Sequence, residues 1–330
     1  MPMPKLGIGP LSTETVRAIF QLSSQHNIPL MLIASRNQID YNHGYVCKTK
    51  EFSQILRDLK TTFPKAQVLI CRDHCGPGFG SLSNSLNSVY KTIESDIKHD
   101  FDLLHIDLCH LSASHKHELL QTANMIRFAQ SLSPTILFEI GTNENKGKLS
   151  LDQLQNDLDF FTEICQPSFY VIQTGSLVKE EKNVGTFHRS NIKPLADIIH
   201  KKGILLKEHN ADYLNREMII ARTGIVDAMN IAPQLGVIQT TTILSCAYQY
   251  GIDVNSFLEL SYKSKKWQKW ILPENKLNKY LCAIVAGHYH YQSSEYKAMY
   301  EQISANVDLS VIIENKITDT ILHYVNSFQY

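Results

Sequence analysis

Eight short apolar runs recur at fairly even spacing over the first 250 residues. They are Lys5–Ile8, Leu30–Ala34, Val68–Ile70, Leu103–Ile106, Thr135–Phe138, Phe169–Ile172, Ile204–Leu206 and Ala228–Ile231. Runs of this length without helical periodicity predict buried strands. Between them the apolar positions fall at helical spacing. Thr13–Gln25 carries Val16, Ile19, Phe20 and Leu22 behind a capping Ser12, and Phe52–Thr62, Asn84–Ile97, Leu119–Leu132, Leu151–Ile164 and Ile192–Ile199 read similarly. Strands alternating with helices must run parallel, because a parallel crossover needs a dozen or more residues. Eight such units predict a closed α/β barrel, the (β/α)8 or TIM architecture; an open doubly wound sheet seldom needs eight regular units.

Past about residue 250 the pattern changes. Lys276–Gly287, Tyr296–Ile303 and Val311–Val325 read as helices, and aromatics become frequent. The expected organisation is a barrel over 1–250 carrying the site. A helical C-terminal extension over 251–330 would cover one face or make an oligomer contact. His288-Tyr289-His290 reads as partly exposed helix or loop rather than as a metal pair.

Charge removes one class of function. Lys and Arg number 32 and so do Asp and Glu, which leaves no basic excess for nucleic acid. No segment approaches 18 uninterrupted apolar residues, so neither a membrane span nor a signal peptide is expected, and the location expected is cytoplasmic. The seven cysteines lack metal-finger spacing; Cys71, Cys75 and Cys109 read as packing residues.

In such a barrel chemistry sits at the C-terminal ends of the strands. Those ends hold Ser35-Arg36-Asn37-Gln38, Asp73-His74, His105-Ile106-Asp107, Glu139-Ile140-Gly141-Thr142, Gln173-Thr174-Gly175, Glu208-His209-Asn210 and Asn230, with His188 in the long loop after the sixth strand. An unpaired buried charge is costly, so Asp73-His74 needs a partner. His74, His188 and His209 would converge on one mouth. Three nitrogen ligands with an open position are the makeup of a catalytic zinc site. His105 and Asp107 alternate, so both point one way and one can orient the other. A metal there polarises a carbonyl or holds an enediolate, which serves aldol cleavage, isomerisation, epimerisation or hydrolysis alike. Hydrolases on this barrel usually carry His-x-His on the first strand, and Lys5–Pro10 has none.

Arg72-Asp73-His74-Cys75, His105-Ile106-Asp107-Leu108, Phe138-Glu139-Ile140-Gly141, Val184-Gly185-Thr186-Phe187-His188 and Glu208-His209 fall in the order seen in class II, zinc-dependent ketose-bisphosphate aldolases. Ala34–Asp40, Asp73–Pro77, Ile140–Thr142 and His209–Tyr213 resemble more closely the non-catalytic Z-type subunit of tagatose-bisphosphate aldolase and related sugar epimerases. The similarity runs to about residue 245. It implies a metal, Zn2+ or another divalent ion, on His74, His188 and His209, with Glu139 as a fourth ligand. It implies Asp73 as the proton-transferring carboxylate, Asp107 beside it, and Asn37, Gln38 and Asn230 on the sugar. The implied substrate is a ketose or sugar acid, with or without a phosphate, opened at C3–C4. The alternative is a non-catalytic subunit that stabilises a partner aldolase; homo-oligomerisation is the other expected association.

Two departures bear on the substrate. The turn after His209 is Asn210-Ala211-Asp212, placed here on the substrate side, and an acid there is a poor neighbour for phosphate. Arg72 stands where relatives carry a small residue. It either meets an acidic group of the substrate or points between strand and helix to pair with Asp102 or Glu139. Which of Glu139 and Glu144 faces the site is also open at this level.

Overall fold

The eight apolar runs form eight parallel strands closed into a barrel. They are β1 (Leu6–Ile8), β2 (Leu30–Ser35), β3 (Val68–Cys75), β4 (Leu103–Ile106), β5 (Leu137–Gly141), β6 (Phe169–Val171), β7 (Leu205–Glu208) and β8 (Ala228–Ile231). Each pairs with its neighbour in sequence, and β8 closes onto β1 through Leu6 opposite Met229, Gly7 opposite Asn230 and Ile8 opposite Ile231. This computed structural model describes residues 2–80, 85–142, 144 and 149–328. The expected helix start at Asn84 and the Asn143 beside Thr142 lie outside the described residues.

The helices that return the chain are α1 (Thr13–His26), α2 (Thr49–Thr62), α3 (Leu86–Lys98), α4 (His115–Leu132), α5 (Leu151–Thr162), α6 (Arg189–Lys201), α7 (Arg216–Ile220) and α8 (Pro233–Gln249). Local sequence starts several of them. Ser12, Ser85, Ser114 and Ser150 each cap a helix by accepting a backbone N–H three residues on, a contact typically contributing about 1 kcal/mol.

Period-two alternation sorts each strand. Outward side chains join the main core between strands and helices. Inward ones, Met31, Ile33, Leu69, Cys71, Leu103, Phe169 and Ala228, fill the barrel as a separate plug. One step further toward the C-terminal ends, the inward positions turn polar: Asp73 after Cys71, His105 after Leu103, Glu139 after Leu137, Lys207 after Leu205, Asn230 after Ala228. All five are buried.

After residue 250 come α9 (Asn255–Lys263), α10 (Lys279–Ala286), α11 (Ser294–Ser304) and α12 (Leu309–Ser327). α12 packs against α1, α7 and α8, and α10 against α8 and α9. A buried polar chain ties this extension to the barrel: Ser12 donates to Gln239, which donates to Tyr296. The segment expected to be partly exposed forms a short 3-10 turn, Gly287–His290, in which Tyr289 and His290 are half-buried and His288 is buried against Gly236 of α8. Among the described residues no helix is long and apolar enough to cross a membrane.

Candidate functional site

β3 is longer than its apolar run, and it supplies two neighbours to one place. Regular alternation would send Asp73 and His74 to opposite faces. The register between β3 and β4 slips between Arg72 and Cys75, and His74 takes a left-handed φ of 46°. A bulge with one residue in that region redirects a side chain. Here it turns His74 into the mouth beside Asp73.

Asp73, His74, His105 and His209 each offer one atom, all lying within 4.8 Å of one another. Each histidine has its second ring nitrogen held. His74 Nδ1 lies 2.8 Å from Asp107 Oδ2, His105 Nε2 lies 3.0 Å from the Gly141 carbonyl, and His209 Nε2 lies 3.0 Å from Glu139 Oε1. Metal-binding histidines are fixed in this way, with the outer nitrogen donating to a carboxylate or carbonyl. Two inner nitrogens then face each other, His209 Nδ1 3.3 Å from His74 Nε2, while His105 Nδ1 accepts the backbone N–H of His74 at 3.3 Å. Zinc–nitrogen bonds of about 2.0–2.1 Å set tetrahedral edges near 3.3–3.4 Å, the spacing of the His74–His209 pair and of His105 Nδ1 from Asp73 Oδ1 at 3.3 Å.

Electrostatics of the cluster follow its layering. Burial opposes charge on Asp73, yet facing His74 and His209 hold its carboxyl well below the ordinary range. Burial also works against the His105 imidazolium, but Glu139 and Asp73 push its pKa up to about 9. Burial prevails at His209, whose pKa is lowered. Glu139 is held down at about 2 against its burial, chiefly by Lys207. Lys207 Nζ sits 2.6 Å from Glu139 Oε2, both side chains fully buried.

Several expected residues fall elsewhere. His188 is not in the cluster: it is exposed at the start of α6, and His105 takes the third histidine place. Glu139 is not within the ligand group either. It bridges Lys207 and His209, because its inward position on β5 meets the inward lysine of β7. Arg72 points outward, fully buried, with Nε and Nη2 on Asp96 and Nη1 on the Ala34 and Ile39 carbonyls, which leaves it nothing for a substrate. Its partner is Asp96, not the expected Asp102 or Glu139. Asp212 is buried and accepts the N–H groups of Ala232 and Gln234 at the start of α8. Asn210, at φ 58°, gives its carbonyl to Asn183. Gln38 is buried at the end of β2, its Oε1 accepting Ser35 N and Oγ, and Asn37 is exposed beside it. Asn230 is 3% exposed and neither amide atom has a partner.

Asp107 connects the cluster to open space. Its Oδ2 accepts from His74 and, at 3.2 Å, from Thr142. A cavity of about 870 Å³ begins there, lined by Asp107, Thr142, Glu144, Gln173 and His188 and running between the ends of β4–β6 and helices α4–α6. Glu144 thus faces this cavity while Glu139 faces the barrel interior. Sequence reading missed Lys207 and gave His105 only an orienting part. The available signal was position: each sits two residues after an inward leucine.

No family model matches the chain, and no curated protein matches its sequence. Solved structures do match. A probable tagatose 6 phosphate kinase from Sinorhizobium meliloti 1021 superposes with a TM-score of 0.81 at 14% identity, over 98% of this chain and 100% of its own. Fructose-bisphosphate aldolase from Campylobacter jejuni gives 0.64 at 10% identity, over 98% and 89%. Fructuronate-tagaturonate epimerase UxaE from Cohnella laeviribosi gives 0.59 at 10% identity, over 98% and 81%. The fold is one shared with aldolases and a sugar epimerase. That is the group whose motifs the strand ends resemble, and at these identities the likeness speaks for the barrel alone.

Proposed function

We propose that the protein is a metal-dependent enzyme acting on a ketose or sugar acid, opening the C3–C4 bond by retro-aldol chemistry, with full cleavage or C4 epimerisation as the outcome. The observation that carries this reading is the cluster itself: Asp73, His74, His105 and His209 each offer an atom within 4.8 Å of the others, and Asp107, the Gly141 carbonyl and Glu139 sit on the histidines' outer nitrogens. His74, His105 and His209 would hold the ion, which when bound polarises a carbonyl and stabilises an enediolate.

The chain's own residues supply the rest. Asp73 is ionised and, with His74, is the most accessible of the four, its side chain 10% exposed and that of His74 16%. It takes the proton of the substrate hydroxyl adjoining the breaking bond and returns it when the bond reforms. Asp107 holds His74 in register. Lys207 keeps Glu139 charged, and Glu139 in turn holds His209.

Elemental analysis of the full-length protein, followed by sugar screening for aldehyde release and C4 inversion with and without chelator, tests this reading. His105→Ala, His74→Ala and His209→Ala are each expected to lower zinc affinity by more than the 10–100-fold typical of losing an outer-shell partner, while His188→Ala is expected to retain the metal. Full metal content in His105→Ala after dialysis would overturn the ligand assignment. A metal-free protein that co-purifies with a separate aldolase chain would favour a stabilising subunit instead.

A further inference from the structure

The β7–β8 side of the mouth has already used the groups that would bind an anion. Phosphate sites in such barrels are commonly built from the loops after strands seven and eight and a helix N-terminus. Here Ala211 N donates to the Asn230 carbonyl at 3.0 Å, Tyr213 N to Gln234 Oε1 at 2.8 Å, and Leu214 N to the Tyr324 hydroxyl at 3.3 Å. At the start of α8, Ala232 N and Gln234 N both donate to Asp212 Oδ1 at 2.9 Å, and Pro233 between them has no N–H. A carboxylate of the chain itself fills the anion position. Three basic side chains around this side are engaged as well: Arg72 of β3 with Asp96, Lys207 of β7 with Glu139, and Arg222, two residues past α7, with Glu208.

The same side holds one unmet demand. Asn230 is inward on β8, two residues beyond the interior Ala228, and its neighbour across β1 is Gly7, where a Cβ would come within 2.1 Å of Oδ1. Its Nδ2 and Oδ1 are buried and both unpartnered. Buried polar atoms are costly to leave without a partner, so both atoms call for one. A phosphate could accept from Nδ2 and would leave Oδ1 facing negative oxygen. A hydroxyl donates and accepts, so it can satisfy both.

We propose that the substrate presents a neutral hydroxyl rather than a phosphate to the β7–β8 side of the mouth, and that Asn230 reads it. The inference rests on the sugar-binding reading above and narrows it: a bisphosphate, charged at both ends, is excluded, whereas an unphosphorylated ketose or uronate fits.

Calorimetric titration of the full-length protein with D-tagatose, D-fructuronate and D-tagatose 1,6-bisphosphate, with inorganic phosphate as competitor, decides it. The bisphosphate is expected to bind at least tenfold more weakly than the better unphosphorylated sugar, and inorganic phosphate is expected not to compete. Asn230→Leu should weaken the sugar at least tenfold while leaving the thermal midpoint unchanged or raised, because it removes two unsatisfied buried atoms. A lowered midpoint with unchanged sugar affinity would mark Asn230 as structural and overturn the proposal. So would tighter binding of the bisphosphate. The expected ranking without turnover of any sugar would sink the catalytic reading and leave this one standing; preferred turnover of the bisphosphate would do the reverse. Failure of all three sugars to bind would overturn both.

Discussion

One backbone torsion brings the neighbours Asp73 and His74 to the same place. With both in regular strand geometry, His74 would point at the helices and could not meet His209. The left-handed φ at His74 removes that obstacle, and a residue other than glycine held there indicates that its surroundings determine it. The adjacent pair was legible in the sequence as chemistry in need of a partner; the bulge that unites its two members was not, since no glycine marks the position. Lys207 was equally hidden, reading as a polar end to an apolar run. Its pairing with Glu139 gives a prediction. Lys207→Met removes the nearest charge partner of a buried carboxylate and leaves it only His209 and His105; breaking such a pair typically costs about 3–5 kcal/mol. Urea unfolding is expected to show that loss, and Lys207→Met/Glu139→Gln to recover part of it. A Lys207→Met midpoint equal to wild type would show that the pair carries no such strain.

At the scale of the element, alternation along β3 decides which of its charged residues can act. Cys71 and Asp73 face in, so Arg72 must face out, and α3 receives it with Asp96. The sequence left Arg72 open between substrate and structure because helix phase on α3 is not fixed by periodicity to within one residue. Asp96 falls on its inner face, fully buried. Arg72→Met is therefore expected to destabilise by about 3–5 kcal/mol through the orphaned Asp96, measured by denaturant titration, with sugar affinity unchanged once folded. A selective change in sugar affinity at wild-type stability would return Arg72 to the mouth. The loop bearing His188 shows the opposite limit. It carries the hairpin of Val178–Lys179 and Lys182–Asn183, whose tip residue Glu180 is latched to Trp270, Leu272 and Asn275. Those contacts join segments far apart in the chain, and local pattern holds no trace of them. His188, placed at the mouth from its loop alone, accordingly lies at the cavity rim.

For the molecule as a whole, the barrel was the most legible feature: eight runs at even spacing admit few other closures. The attachment of the C-terminal helices was less so, because their apolar faces do not say which barrel face they cover. Burial of His288 is a consequence of that attachment and carries a pH signature. Burial, with Lys269, His290 and Lys266 nearby, depresses its pKa to about 3. The folded ring stays neutral where the unfolded ring, near 6.5, takes up a proton. Stability from this group is present above pH 6.5 and is lost as pH falls toward 3, by about 1.4 kcal/mol per pH unit. Thermal midpoints between pH 7 and 4 are expected to fall less steeply in His288→Phe than in wild type; parallel slopes would refute the assignment.

Closure of β8 onto β1 has a further consequence, one of timing. Gly7 and Asn230 stand at opposite ends of the barrel sequence, yet their pairing completes both the sheet and the polar layer. Contacts of such high sequence separation form late, after most of the loop-closure entropy has been met. During synthesis the first strand must therefore wait, its edge unpaired on that side, until nearly three-quarters of the chain has emerged. Three residues, Leu6–Ile8, are a short edge to leave exposed, and shortness is itself a protection against pairing with the wrong chain.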